Sequence, residues 1–157
     1  GDADVLSASL IDSKIAWYEN LMGPDCNVNY CIAAPNSASA SGAQISASGS
    51  SDVGLNDLVL TAGPIQPGEF GVYFHGSAPG QSPFGEGFQC TGGSLVRIWP
   101  PSPADGSGFV TSALDNTGPG GVNILQGATR YFQFWYRDSV LGIPITNFSD
   151  GLELTFL

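Results

Sequence analysis

The stretch "TRYFQFWYRD", residues 129–138, carries five aromatic side chains in ten residues. Read with period two, it sets Tyr131, Gln133, Trp135 and Arg137 on one face and Phe132, Phe134 and Tyr136 on the other. A helix would spread these rings round its circumference with no polar stripe, so a strand with two apolar faces is the better reading. Outward from it the same alternation recurs. "AQISASGS", "NDLVLTAG", "GEFGVYFHG", "SLVRIWP", "FVTSALD" and "GLELTFL" each read as a strand bounded by Gly, Pro, Asn or Asp. "SPFGEGFQCTGG" reads as an irregular, glycine-bent segment, and "NTGPGGVNILQGA" as a loop. No segment of helical periodicity stands out.

With the opening pair "DVLSASL" and "KIAWYEN", this predicts an all-β fold. The expected architecture is an antiparallel two-sheet sandwich of about nine strands with an N-terminal β-hairpin extension. The expected organisation is a hairpin over 1–22, a Ser/Ala/Asn-rich connection over 23–42 and a sandwich over 43–157.

Composition narrows the function. Charged residues make up 11% of the chain against about 25% in an average domain. The net charge is −10, and the basic residues are Lys14, Arg97, Arg130 and Arg137. So few cations cannot neutralise a run of phosphates, which excludes nucleic acid as a partner. No apolar run approaches the roughly 20 residues of a membrane-spanning helix, so membrane insertion is not expected.

Three cysteines, Cys26, Cys31 and Cys90, cannot all pair within one chain. They lack the spacing of a zinc site. A Cys31–Cys90 bridge closes the longer loop, worth about 4 kcal/mol in the chain-entropy model, and Cys26–Cys31 a much shorter one. Low lysine and the cysteines together point outside the cytoplasm.

Two resemblances extend this reading. "GDADVLSASLIDSKIAWYEN", residues 1–20, resembles one blade of the FG-GAP/VCBS repeat family, which forms calcium-binding β-propellers on secreted and surface proteins. Asp2 and Asp4 match the tail of that family's acidic loop, so calcium is the cofactor the resemblance implies, though none is required by the rest of the chain. The hairpin reads as the remainder of such a blade. "NYCIAAPNS", "NDLVLTA", "PFGEGFQCTGG", "FQFWYRD" and "FSDGLELTF", within 29–157, resemble a C-terminal module of large secreted proteins of planctomycetes and myxobacteria-like bacteria. That resemblance implies a disulfide between Cys31 and Cys90 and an extracellular or cell-surface location in a bacterium.

Chemistry is sparse. His75 is the one histidine, and with no G-x-S-x-G elbow a hydrolase triad is set aside. Paired carboxylates could be drawn only from Glu69, Glu86, Asp105, Asp115, Asp138, Asp150 and Glu153, most of them in turns. Asp25 and Asp105 are further oxygen donors for calcium. Arg137 and Asp138 read as a structural ion pair or a turn cap. Asn147 fits a glycosylation sequon that a bacterial chain would not use.

No enzymatic activity is therefore expected. The leading expectation is a secreted structural module that assembles with other copies of itself by strand pairing into a surface layer, anchor or filament. Val5, Leu6, Ile15, Trp17 and Tyr18 of the hairpin would form the assembly surface. The alternative is a carbohydrate-binding module that holds a parent protein to polysaccharide, with Trp99 and Trp135 stacking on sugar rings.

Overall fold

A computed structural model describes residues 5–8, 15–18, 27–121, 124–140 and 143–157, and only the backbone of 5–8, 15–18, Val140 and Pro144. The described residues form thirteen strands and no helix: β1 (Val5–Ala8), β2 (Ile15–Tyr18), β3 (Asn27–Tyr30), β4 (Gln44–Ser48), β5 (Val59–Gly63), β6 (Phe70–Gly76), β7 (Ala78–Phe84), β8 (Gly87–Gly92), β9 (Val96–Pro103), β10 (Val110–Ala113), β11 (Thr129–Val140), β12 (Ile143–Phe148) and β13 (Gly151–Thr155). The fold is all-β, with antiparallel strands throughout.

Four strands go beyond the nine expected. β3 lies in the stretch read as a connection. β7 and β8 form a hairpin where irregular chain was read, and β12 follows β11 directly. Each lacks a clean apolar alternation: β7 is "APGQSPF" and β12 "IPITNF". Their pairing is set by neighbours rather than by their own pattern.

Two sheets make the sandwich. The smaller has the order β10–β5–β4. The larger runs β3–β13–β11–β6–β9, with β12 continuing β13's side of β11. Between them, Ile45, Leu60, Ala62 and Val110 face Tyr73, Ile98, Phe132, Phe134, Tyr136, Leu152 and Leu154 in one buried cluster. β11 is the centre of the larger sheet, and its three inward rings are essentially inaccessible. Complete burial of such a ring contributes roughly 1.5–3 kcal/mol. Gly71 is required opposite Tyr136, because a Cβ there would meet the Phe134 ring at 2.1 Å.

Two of the sheet edges, β4 and β9, are closed in specific ways. On β4, the outward Ile45 N–H donates to Asp150 Oδ1 at 2.8 Å, and Asn29 Nδ2 donates to the Ile45 carbonyl at 2.7 Å. Burial raises the Asp150 carboxyl above the usual range, opposed by the bonds from Ile45 and Asn29. β9 ends the larger sheet in "WPPSP", where Pro100, Pro101 and Pro103 cannot donate to an added strand. β1 and β2 pair only with each other, in the register Val5↔Tyr18 to Ala8↔Ile15, and form a separate two-stranded sheet.

Cys31 and Cys90 are joined by a disulfide, with Cα atoms 6.2 Å apart. It ties the end of β3 to β8 across a sequence separation of 59. Replacing both cysteines with serine is expected to lower unfolding free energy by about 4 kcal/mol, read from urea denaturation.

His75 sits inside β6, 1% exposed, with its ring 5.3 Å from that of Phe132. Nε2 donates to the Gly120 carbonyl at 2.8 Å, and Nδ1 is buried without a partner. Burial holds the imidazole below its ordinary pKa; the Gly120 bond works against this, and the charge of Arg130 adds to it. Below about pH 6.5 the unfolded chain binds a proton that the folded one refuses. Stability should thus be full above that pH and fall as the pH drops through the lowered folded value. His75→Gln should abolish that slope in denaturation curves taken between about pH 5 and 7. An equal slope in the variant would assign it to other groups.

Candidate binding groove

Alternation on β11 gives Phe132, Phe134 and Tyr136 to the core and puts Tyr131, Gln133, Trp135 and Arg137 on the outer face of the larger sheet. Register then builds that face row by row. Gln133 lies opposite Phe74, which lies opposite Arg97. Trp135 lies between Phe148 and Val72, and Arg137 lies beside Thr146. So apolar a face needs cover.

The β7–β8 hairpin covers one part of it. Gln133, fully buried, accepts the Cys90 N–H at 2.9 Å and donates from Nε2 to the carbonyls of Phe88 and Ser149, each at 2.8 Å. The Tyr30 hydroxyl donates to the Cys90 carbonyl at 2.9 Å. Burial pushes its pKa up to about 12, which keeps that proton in place at physiological pH. The disulfide adds a covalent tie to the same strand.

The rest of the face stays open as a groove. Trp135 forms its floor, stacked on Phe148 with ring centroids 6.2 Å apart and planes at 14°. The Arg97 guanidinium lies 5.6 Å from the Trp135 ring centroid, a cation–π contact. This pair divides two depressions. One, of about 500 Å³, is lined by Phe70, Trp99, Pro101, Arg137 and Thr146. The other, of about 660 Å³, is lined by Phe74, Phe84, Gln89, Leu95 and Phe148. Trp99 is 63% exposed, Phe84 52% and Phe70 51%, so flat apolar rings stand open on both sides. Trp135 Nε1 is buried on the floor without a partner. Among the described residues no carboxylate lines either depression.

The groove therefore unites the two tryptophans singled out for sugar stacking, one from β9 and one from β11. It also holds two cations that the sequence reading did not assign to a site. Arg97 and Trp99 are two apart on one strand and share its outer face, a signal present in "RIW". The ion pair that the sequence suggests between Arg137 and Asp138 does not form, because consecutive strand residues point to opposite faces. Asp138 is buried and accepts hydrogen bonds from the backbone and hydroxyl of Ser37.

The other candidates fall elsewhere. Asp105 accepts the N–H groups of Ser107 and Phe109 in a turn, which hold its carboxyl below the usual range. Asp115 caps the turn at Thr117, and its carboxyl is likewise held low by that residue's hydroxyl and N–H. Asn147 is buried, donates to the Pro35 carbonyl and accepts the Phe148 N–H, so its amide is closed to glycosylation. Asp2, Asp4 and Asp25 lie outside the described residues, as do the side chains of Val5, Leu6, Ile15, Trp17 and Tyr18. Among the described residues no group of three or more His, Cys, Asp or Glu is gathered for a metal ion. No family model, curated protein or solved structure matches this chain.

Proposed function

We propose that the chain is a secreted, non-enzymatic module that binds polysaccharide in the outer-face groove. The convergence of Trp99 and Trp135 in one open cleft carries this reading. Sugar C–H faces stack on flat aromatic rings, and Arg97, Arg137, Gln89 and Thr146 supply hydrogen-bonding groups around them. The cleft is built mostly on strand residues of the larger sheet, which suits an extended ligand. A disulfide fits an oxidising compartment outside the cell, in line with the resemblance to secreted bacterial modules. Trp99→Ala should weaken retention in affinity gels containing polysaccharide by about tenfold or more, since exposed tryptophans are common hot spots. Its melting temperature should be unchanged, because Trp99 is exposed and stands outside the buried cluster. Undiminished retention would remove the groove from the binding site.

A second reading concerns the N-terminal ribbon. Among the described strands β1 and β2 share a sheet only with each other, and in this reading another copy of the chain adds a strand to that ribbon. Strand addition of this kind would build the surface layer, anchor or filament expected from sequence, by a head-to-tail contact. Light scattering should then show oligomers for residues 1–157 and monomers when residues 1–22 are deleted. A monomeric full chain at millimolar concentration would rule the assembly out.

A further inference from the structure

The charge inside the groove is opposite to the charge of the chain. Of 157 residues, 14 are acidic and four basic, yet two of the four basic residues, Arg97 and Arg137, line this cleft, and among the described residues no acidic one does. Neither guanidinium is ion-paired among the described residues. Arg97 rests on the Trp135 ring and Arg137 is exposed beside Thr146. By chain position the carboxylates nearest the lining residues are Asp138, which is buried and bonded to Ser37, and then Glu69 and Glu86. Glu69 accepts a hydrogen bond from the Ser139 hydroxyl, and Glu86 sits in the β7–β8 turn, where its N–H donates to the Thr146 carbonyl.

We propose that the groove's ligand is an anionic glycan, a polysaccharide bearing carboxylate or sulfate groups, gripped by Arg97 and Arg137 while its rings lie on Trp99. This rests on the polysaccharide reading above and adds the ligand's charge class. Guanidinium forks match carboxylate and sulfate oxygens in bidentate geometry, which a neutral sugar does not use. Arg97 also has a mechanical part. Its guanidinium lies between the two depressions, so an acidic group bound there reaches both. The chain's net charge of −10 opposes a polyanion at long range. Screening over about 8 Å at physiological salt confines that repulsion and leaves the short-range contacts to decide. An acidic peptide offers carboxylates too, but it lacks the flat C–H faces of a sugar ring, which stack on the two tryptophans and two exposed phenylalanines.

The test uses the full chain in affinity gels and titration calorimetry at about 0.15 M salt, where the screening length is short. The probes are alginate, polygalacturonate, chondroitin sulfate, dextran and poly-glutamate. The inference expects one or more of the three acidic glycans to bind, with dextran and poly-glutamate at least tenfold weaker. Arg137→Gln should then cut affinity by about tenfold, the value of a charge-assisted hydrogen bond, with melting temperature unchanged. Arg97→Gln should do the same, and Arg130→Gln, outside the groove, should not. Dextran bound as tightly as the acidic glycans, with neither groove arginine mattering, overturns the charge assignment and leaves the polysaccharide reading standing. Poly-glutamate bound as tightly overturns the glycan class. No glycan bound overturns both this inference and the reading on which it rests.

Discussion

A strand whose two faces are both rich in aromatic rings cannot satisfy both with one partner sheet. β11 is such a strand, and most of the architecture follows from how its two faces are treated. Phe132, Phe134 and Tyr136 meet the smaller sheet across the sandwich and are sealed. The opposite face, with Gln133 and Trp135, receives a second cover in the form of the β7–β8 hairpin. That cover extends over only part of the strand, and the remainder is the groove.

Gln133 explains where the cover stops. A buried amide is costly unless its donors and acceptor are met, and here the acceptor and both donors are in use, against Cys90, Phe88 and Ser149. Those bonds fix the hairpin over the middle of the sheet. The Cys31–Cys90 bridge and the Tyr30 hydroxyl hold it from the opposite side. Beyond Gln133 the next outward residue of β11 is Trp135, which finds Phe148 and Arg97 but no hydrogen-bond acceptor for Nε1. The open site thus begins where the covering network runs out.

Much of this was legible in the chain and some was not. Alternation over 129–138 assigns each β11 side chain to its observed face, because period two needs no knowledge of partners. The pairing of Cys31 with Cys90 agrees with the structure as well. β7 and β8 leave no local signal because "APGQSPFGEGFQC" interrupts any alternation with Gly and Pro. The hairpin is held by the sheet beneath it, through Gln133 of β11. The convergence of Trp99 with Trp135 depends on register: Phe74 opposite both Gln133 and Arg97 brings two distant strands into one row, and no local pattern encodes that. The ion pair expected of Arg137 and Asp138 neglected the strand's own alternation, which already separates them.

How the sheets end bears on which surface the molecule offers to others. β9 is blunted by three prolines, and β4 has its outward groups taken by Asn29 and Asp150. β12 has its Thr146 carbonyl taken by the β7–β8 turn. Each device suppresses strand addition to the sandwich body. A body protected along these edges while leaving rings open on a face is suited to recognition by stacking rather than by backbone pairing. Strand pairing, where it operates, falls to the separate β1–β2 ribbon. The two readings thus occupy different parts of the chain. One copy could add a ribbon to its neighbour while every groove remained free, and polymerisation would then multiply weak glycan contacts into a strong attachment.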